Sequence, residues 1–244
     1  MRFKKRSWRL AGLEVSVKKY PAFETFEYYL KKLQIGTILD VGANEGQFAC
    51  EVRANGFSGR ILSFEPSSKV FPQLEARAQL DRNWQCFNYA LGGSEGSAEL
   101  RVFRNSVFAS LLPVSPVGQS LGYAGAEISR EKVEIKRLSD VWPSLECEDG
   151  GVLLKIDAQG FDLAVIDGAA EVLEKVSAVR MELPLKPMYV GQRGIEDHLS
   201  TMQAKGFHLA ELTNVCRAEQ TRELLEVDGL FIRAPQGIRE PPVR

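Results

Sequence analysis

The sequence predicts an α/β domain built on a mostly parallel sheet, and three observations predict it. From Ile35 to Leu183, short aliphatic or β-branched runs alternate with longer amphipathic or loop segments, as strands covered by helices do. Four of those runs carry an acidic residue at or beside their C-terminal ends, the side on which open α/β sheets hold ligands. The first run passes through two glycines into a helix, a turn that permits close backbone approach. A chain of 244 residues suits one such domain with extra strands.

In chain order, Met1 to Tyr20 is basic, and its apolar stretch Leu10 to Leu13 is broken by Glu14. That is too short for the core of an export signal, so the segment reads as a solvated leader. Residues 1–34 are expected to be this leader plus a helix. Thr37 to Val41, Arg60 to Glu65, Gly151 to Asp157 and Ala178 to Leu183 are the four anchoring strands. Gln47 to Asn55 and Val70 to Leu80 read as helices, and Gln85 to Ala90 as a strand. Ser97 to Phe103 and Lys132 to Leu138 read as added strands, because Ala98, Leu100 and Val102 alternate with polar neighbours. The Ser-, Gly- and Pro-rich stretch from Arg104 to Ser129 reads as a mobile acceptor-side loop, with Phe108, Leu111, Leu112 and Tyr123 as its covering residues. A helix from Ile195 to Lys205, ended by Gly206, precedes the closing strands Phe207 to Leu212 and Gly229 to Arg233. The domain proper is expected over 35–233, and the proline-bearing residues 234–244 as a tail.

Composition narrows the function. A formal net charge of −1, with a basic excess only in the first twenty residues, argues against general nucleic-acid binding. No window approaches the ~18 consecutive apolar residues of a spanning helix, so a soluble, cytoplasmic protein is expected. Cys50, Cys86, Cys147 and Cys216 lie far apart with no C-x-x-C spacing, and are expected as buried, reduced thiols. His198 and His208 read as ordinary helix and strand residues, and no metal is expected.

The turn Asp40-Val41-Gly42-Ala43-Asn44-Glu45-Gly46 has a glycine at each end and none in the middle. Dinucleotide folds use a G-x-G-x-x-G run to seat a pyrophosphate on the helix start. With Asn44 at the middle position, a nicotinamide-linked oxidoreductase is disfavoured. S-Adenosylmethionine has no phosphate, and Asp40 close to the turn is acceptable to its sulfonium and amino acid end. Glu65, ending the next strand, has the carboxylate that accepts both hydrogen bonds of a ribose diol.

These segments resemble the FkbM family of class I methyltransferases. The likeness covers about Ile35 to Arg233 and rests on an ordered set: ILDVGANEGQF from Ile38, FEPS from Phe64, NYALGGSEG from Asn88, KIDAQGFD from Lys155 and DGLFIR from Asp228. It implies a Rossmann-like fold with helices on both faces and an antiparallel last strand. It also implies that Asp40, Gly42, Asn44 and Gly46 line the methionine end of S-adenosylmethionine, Glu65 its ribose, and Asn88 and Ala90 the neighbourhood of its adenine. The sequence departs from the family at Gln159, where many members carry an acid. That departure invites an alternative, a cofactor-binding module without chemistry.

Methyl transfer from a sulfonium is an in-line displacement, so positioning supplies much of the catalysis. A hydroxyl acceptor also gives up a proton, which calls for a base. Asp157 is the first candidate, as base or as cofactor contact, and Glu182 the second. The two could instead bind Mg²⁺, but no D-D or D-N pair completes such a site. Asp162 and Asp167 read as helix caps. The sequence therefore predicts an O-methyltransferase acting on a small molecule or saccharide.

Overall fold

In the computed structural model, which describes residues 6–10, 13–17, 22–147, 150–219 and 221–233, the four anchoring runs form the centre of a seven-stranded sheet. They are β3 (Ile35–Val41), β4 (Arg60–Phe64), β9 (Gly151–Ile156) and β10 (Ala178–Pro184). With β5 (Trp84–Phe87), β11 (Phe207–Arg217) and β12 (Leu224–Arg233), the sheet order is β11-β12-β10-β9-β3-β4-β5. The five strands from β10 to β5 are parallel, and β12 runs antiparallel to both of its neighbours.

Successive residues of a strand point to opposite faces, so the unbroken aliphatic runs demand cover on both. Leu39, Leu62 and Leu154 pack against Leu163 and Ile166 of α6 (Asp162–Gly168) on one face. Ile38, Ile61 and Leu153 pack on the other against Ala49 and Val52 of α2 (Gln47–Ala54) and Leu74 of α3 (Phe71–Ala78). The fold is the mostly parallel α/β sheet that the strand pattern predicts, with an antiparallel last strand and helices on both faces.

Several expected boundaries are corrected. The run Gln85 to Ala90 is two strands: β5 ends at Phe87, and β6 (Ala90–Leu91) joins a second sheet of order β6-β8-β7. The break falls at Asn88, whose amide donates to the carbonyls of Glu65 and Pro66. In that second sheet β7 (Gly96–Phe103) pairs with β8, which spans Glu127–Lys136 rather than starting at Lys132, and Leu138 opens a short helix. The Arg101–Glu127 ion pair at 2.8 Å closes the far end of that ladder. The polar stretch Thr213 to Asp228 is largely strand, with Thr213 opposite Asp228 and Cys216 opposite Glu226. An antiparallel edge tolerates one wet face, so hydropathy alone missed it.

Within the expected leader, β1 (Arg6–Leu10) and β2 (Leu13–Val17) pair antiparallel, ahead of α1 (Ala22–Lys32). The cysteines are free but not buried: Cys50 is exposed and the other three are half-buried. Among the described residues no helix is long and apolar enough to cross a membrane. Residues 234–244, read as a tail, lie outside the described residues.

Candidate active site

The turn after β3 is held by its neighbours. Gly42 has φ +70°, and a Cβ there would sit 1.9 Å from the carbonyl oxygen of Asp157. Only glycine lets the ends of β3 and β9 approach this closely. Asn44 also takes the left-handed region, at φ 46°, which asparagine tolerates better than most residues. That conformation supplies what a middle glycine would have supplied, while the Asn44 side chain accepts from the Glu45 amide at 2.8 Å.

Glu65 stands beside this turn, 5% exposed. One carboxylate oxygen accepts from the Asn44 amide and the other from the Ser67 amide, both at 2.8 Å. Burial pushes its carboxyl up to about 7, against the pull of those two amides and of Lys155.

Lys155, next to the C-terminal end of the run Gly151–Ile156, is the residue that sequence reading missed. Its ammonium lies 3.0 Å from Asp40 Oδ1 and 3.7 Å from Asp157 Oδ2. It also donates to the carbonyl oxygen of Gly42 at 3.1 Å. Burial alone would lower its pKa, but Asp40 and Asp157 outweigh burial and the net direction is up. Asp40 and Arg180 are its register partners on β3 and β10, and one step further out Glu182 pairs with Asp228 on β12. A band of charge thus crosses the sheet near its C-terminal edge. A lysine and an arginine inside otherwise aliphatic strands were the available signal.

Asp157, Gln159, Glu182 and Tyr189 form one network. The Gln159 Nε2 donates to Asp157 Oδ1 at 2.7 Å and to Glu182 Oε2 at 3.2 Å. Its Oε1 accepts from the Tyr189 hydroxyl at 2.7 Å. Burial first, and then the charge of Asp157, raise the Glu182 carboxyl well above the usual carboxylate range. Asp162, buried in the first turn of α6, accepts from the amides of Ala158 and Gly160 and so shapes the turn that carries Gln159. Asp167 does not cap that helix; it lies 3.6 Å from Arg193.

These elements enclose a cleft of about 320 Å³ at the C-terminal ends of the strands, lined by Gly42, Asn44, Glu65, Ala90, Asp157 and Glu182, among others. Phe48, Lys155, Arg180 and Asp228 also line it. The other three predicted residues stand behind the lining. Asp40 is fully buried against Lys155, Gly46 faces the Trp84 ring, and Asn88 braces the Glu65 turn. Among the described residues no group of three or more His, Cys, Asp or Glu could hold a metal ion.

The stretch from Arg104 to Ser129 is partly ordered structure, with a 3-10 turn at Ser106–Phe108 and a short helix at Pro116–Ser120. It is fastened over the cleft by Ser110, which donates to the Gln159 carbonyl oxygen at 2.7 Å, and by Ser115, which donates to that of Pro187. Of its expected covering residues, Leu111 lines the cleft. Leu112 and Tyr123 instead pack on Met188 and Tyr189, and Phe108 stacks edgewise on Tyr123.

No curated protein matches the sequence. The fold is similar to that of Aeropyrum pernix fibrillarin in complex with natively bound S-adenosyl-L-methionine, at 15% identity and TM-score 0.46, over 94% of this chain and 83% of that one. It is similar to methyltransferase FkbM from Methylobacillus flagellatus KT, at 11% identity and TM-score 0.47, over 80% of this chain and 43% of that one. The chain therefore matches less than half the length of that protein. The family model for the methyltransferase FkbM domain matches residues 40–209.

Proposed function

The chain belongs to the FkbM methyltransferase family, and from that premise we propose that it methylates a hydroxyl on a small molecule or saccharide, with the chemistry carried by residues 35–233. S-Adenosylmethionine is the methyl donor of this family, which sets aside the nicotinamide-linked alternative. When bound, it supplies an electrophilic methyl group on a sulfonium.

The donor set fits that cofactor. A carboxylate has about four acceptor positions, and the two backbone amides on Glu65 use one on each oxygen. One lone pair per oxygen is left on a carboxylate that lines the cleft, which suits the two hydroxyls of a ribose. Gly42 and Asn44 would face the methionine end, and Ala90 the adenine. Asp40, Gly46 and Asn88 act from behind, by holding Lys155, α2 and the Glu65 turn in place.

The observation that carries the reading is the setting of Asp157. Its side chain is 38% exposed in the cleft while Lys155 and Gln159 hold it from behind. It is thus a fixed carboxylate open to an incoming hydroxyl, and it takes the proton that methylation releases. Glu182 is the second carboxyl within the same network. Gln159, bonded to three partners, organises the site, which favours an enzyme over a silent binding module. Incubation with S-adenosylmethionine and a panel of hydroxylated metabolites and glycans, with product mass detection, tests this. An O-methyl product is expected, and methylation of nitrogen or carbon alone would overturn the acceptor assignment.

A further inference from the structure

Asp157 and Glu182 share a single amide nitrogen, so their nearest oxygens lie within the ~6 Å over which like charges penalise each other. The surroundings decide which of the two bears the charge. Lys155 stands 3.7 Å from Asp157. Glu182 faces acids: Asp157 from the β9 turn, Asp162 from α6, and Glu226 and Asp228 from β12. Lys155 and Arg180 are paired with other acids, Lys155 with Asp40 at 3.0 Å and Arg180 with Asp228 at 2.8 Å. Two phenols complete its surroundings. Tyr189 donates to Gln159, and Tyr123, from the fastened loop, donates to Glu226 at 2.8 Å. The unlike settings favour the proton on Glu182, at the wall of a cleft that both carboxyls line.

Resting on the cofactor reading above, we propose that the Asp157–Gln159–Glu182 group is a charge sensor that distinguishes S-adenosylmethionine from its demethylated product. A cation entering the cleft stabilises a second carboxylate, so Glu182 gives its proton to solvent as the sulfonium binds. The product is a neutral thioether and brings no such stabilisation, so Glu182 stays protonated in its presence. The proton balance closes over a turnover. One proton leaves Glu182 for solvent on cofactor entry, the acceptor hydroxyl gives one to Asp157 on transfer, and the pair keeps that proton, on Glu182 again, when the product leaves, so one proton is released per turnover. The donor is thereby favoured over the product increasingly as pH rises, up to tenfold per pH unit for one proton of difference.

The test is calorimetry on the full chain with S-adenosylmethionine and S-adenosylhomocysteine as separate ligands. Each is run in two buffers of different ionisation enthalpy at pH ~6.5, below the ~7.7 of an α-amino group. Protons exchanged through Glu65 are common to both ligands, because both carry the ribose, and cancel in the difference. The expected result is up to one more proton released with the sulfonium than with the thioether, a difference lost in Glu182→Gln. The wild-type comparison decides even if that variant does not fold. Equal proton counts for two ligands that both bind would overturn this inference and leave the cofactor reading intact. Binding of neither ligand would overturn both.

Discussion

The Lys155 ammonium lies 3.0 Å from the buried Asp40 carboxylate, and this contact joins the floor of the cleft to both of its walls. The same ammonium holds the Gly42 carbonyl on one side and stands behind Asp157 on the other. Breaking one side of a buried pair leaves an uncompensated charge, which costs ~3–5 kcal/mol. Lys155→Met is therefore expected to lower stability by about that amount in urea denaturation at pH 7. The double variant Asp40→Leu, Lys155→Met should regain most of the loss. A single variant as stable as the wild type would remove the pair from the architecture of the site.

Glu65 makes cofactor affinity depend on pH. Its carboxyl titrates at about 7 because it is buried, and only the ionised form offers a free lone pair on each oxygen to a ribose diol. Diol binding lowers its pKa, so affinity is fully present above about pH 7 and weakens as pH falls below it. Titration with S-adenosylhomocysteine at pH 6 and pH 8 should show this trend. Glu65→Gln should abolish the trend and cost ~1.5–3 kcal/mol of binding at pH 8, as for a hydrogen bond to a charged group. An affinity flat from pH 6 to pH 8 in the wild type would contradict the role.

Asp157→Asn separates its two possible roles. Asparagine keeps the shape and one acceptor oxygen, so the turn through Gly160 survives while the basicity is lost. Cofactor affinity should stay within a few-fold and turnover should fall by ~10² or more, the lower range for a general base. A loss of ~1.5–3 kcal/mol in cofactor binding would point instead to a charge-assisted contact with the cofactor's amino group. Wild-type kinetics and affinity together would pass the assignment to Glu182.

The parallel centre of the sheet was legible because strands buried on both faces must be aliphatic throughout, as Ile38, Leu39, Ile61 and Leu62 are. Glu65, Asp157 and Glu182 were legible because they lie at or beside the C-terminal ends of such strands. The long β11–β12 hairpin was not, since one face of an antiparallel edge is wet and its polar residues read as a loop. Tyr189 lay beyond sequence reasoning, because only the loop from Pro184 to Gly194 sets its hydroxyl against Gln159. Asp40 was visible as a charge beside the turn. That it faces Lys155 instead of the cleft depends on the register between β3 and β9, which no local pattern encodes.

The most direct test of the account is a calorimetric titration of the purified chain with S-adenosylmethionine, up to ~1 mM, the upper end of ordinary KM values. One-site saturable binding is predicted, and Glu65→Ala should lose it while keeping the far-ultraviolet circular dichroism of the wild type. No heat of binding at that concentration, from a protein shown to be folded, would contradict the central claim.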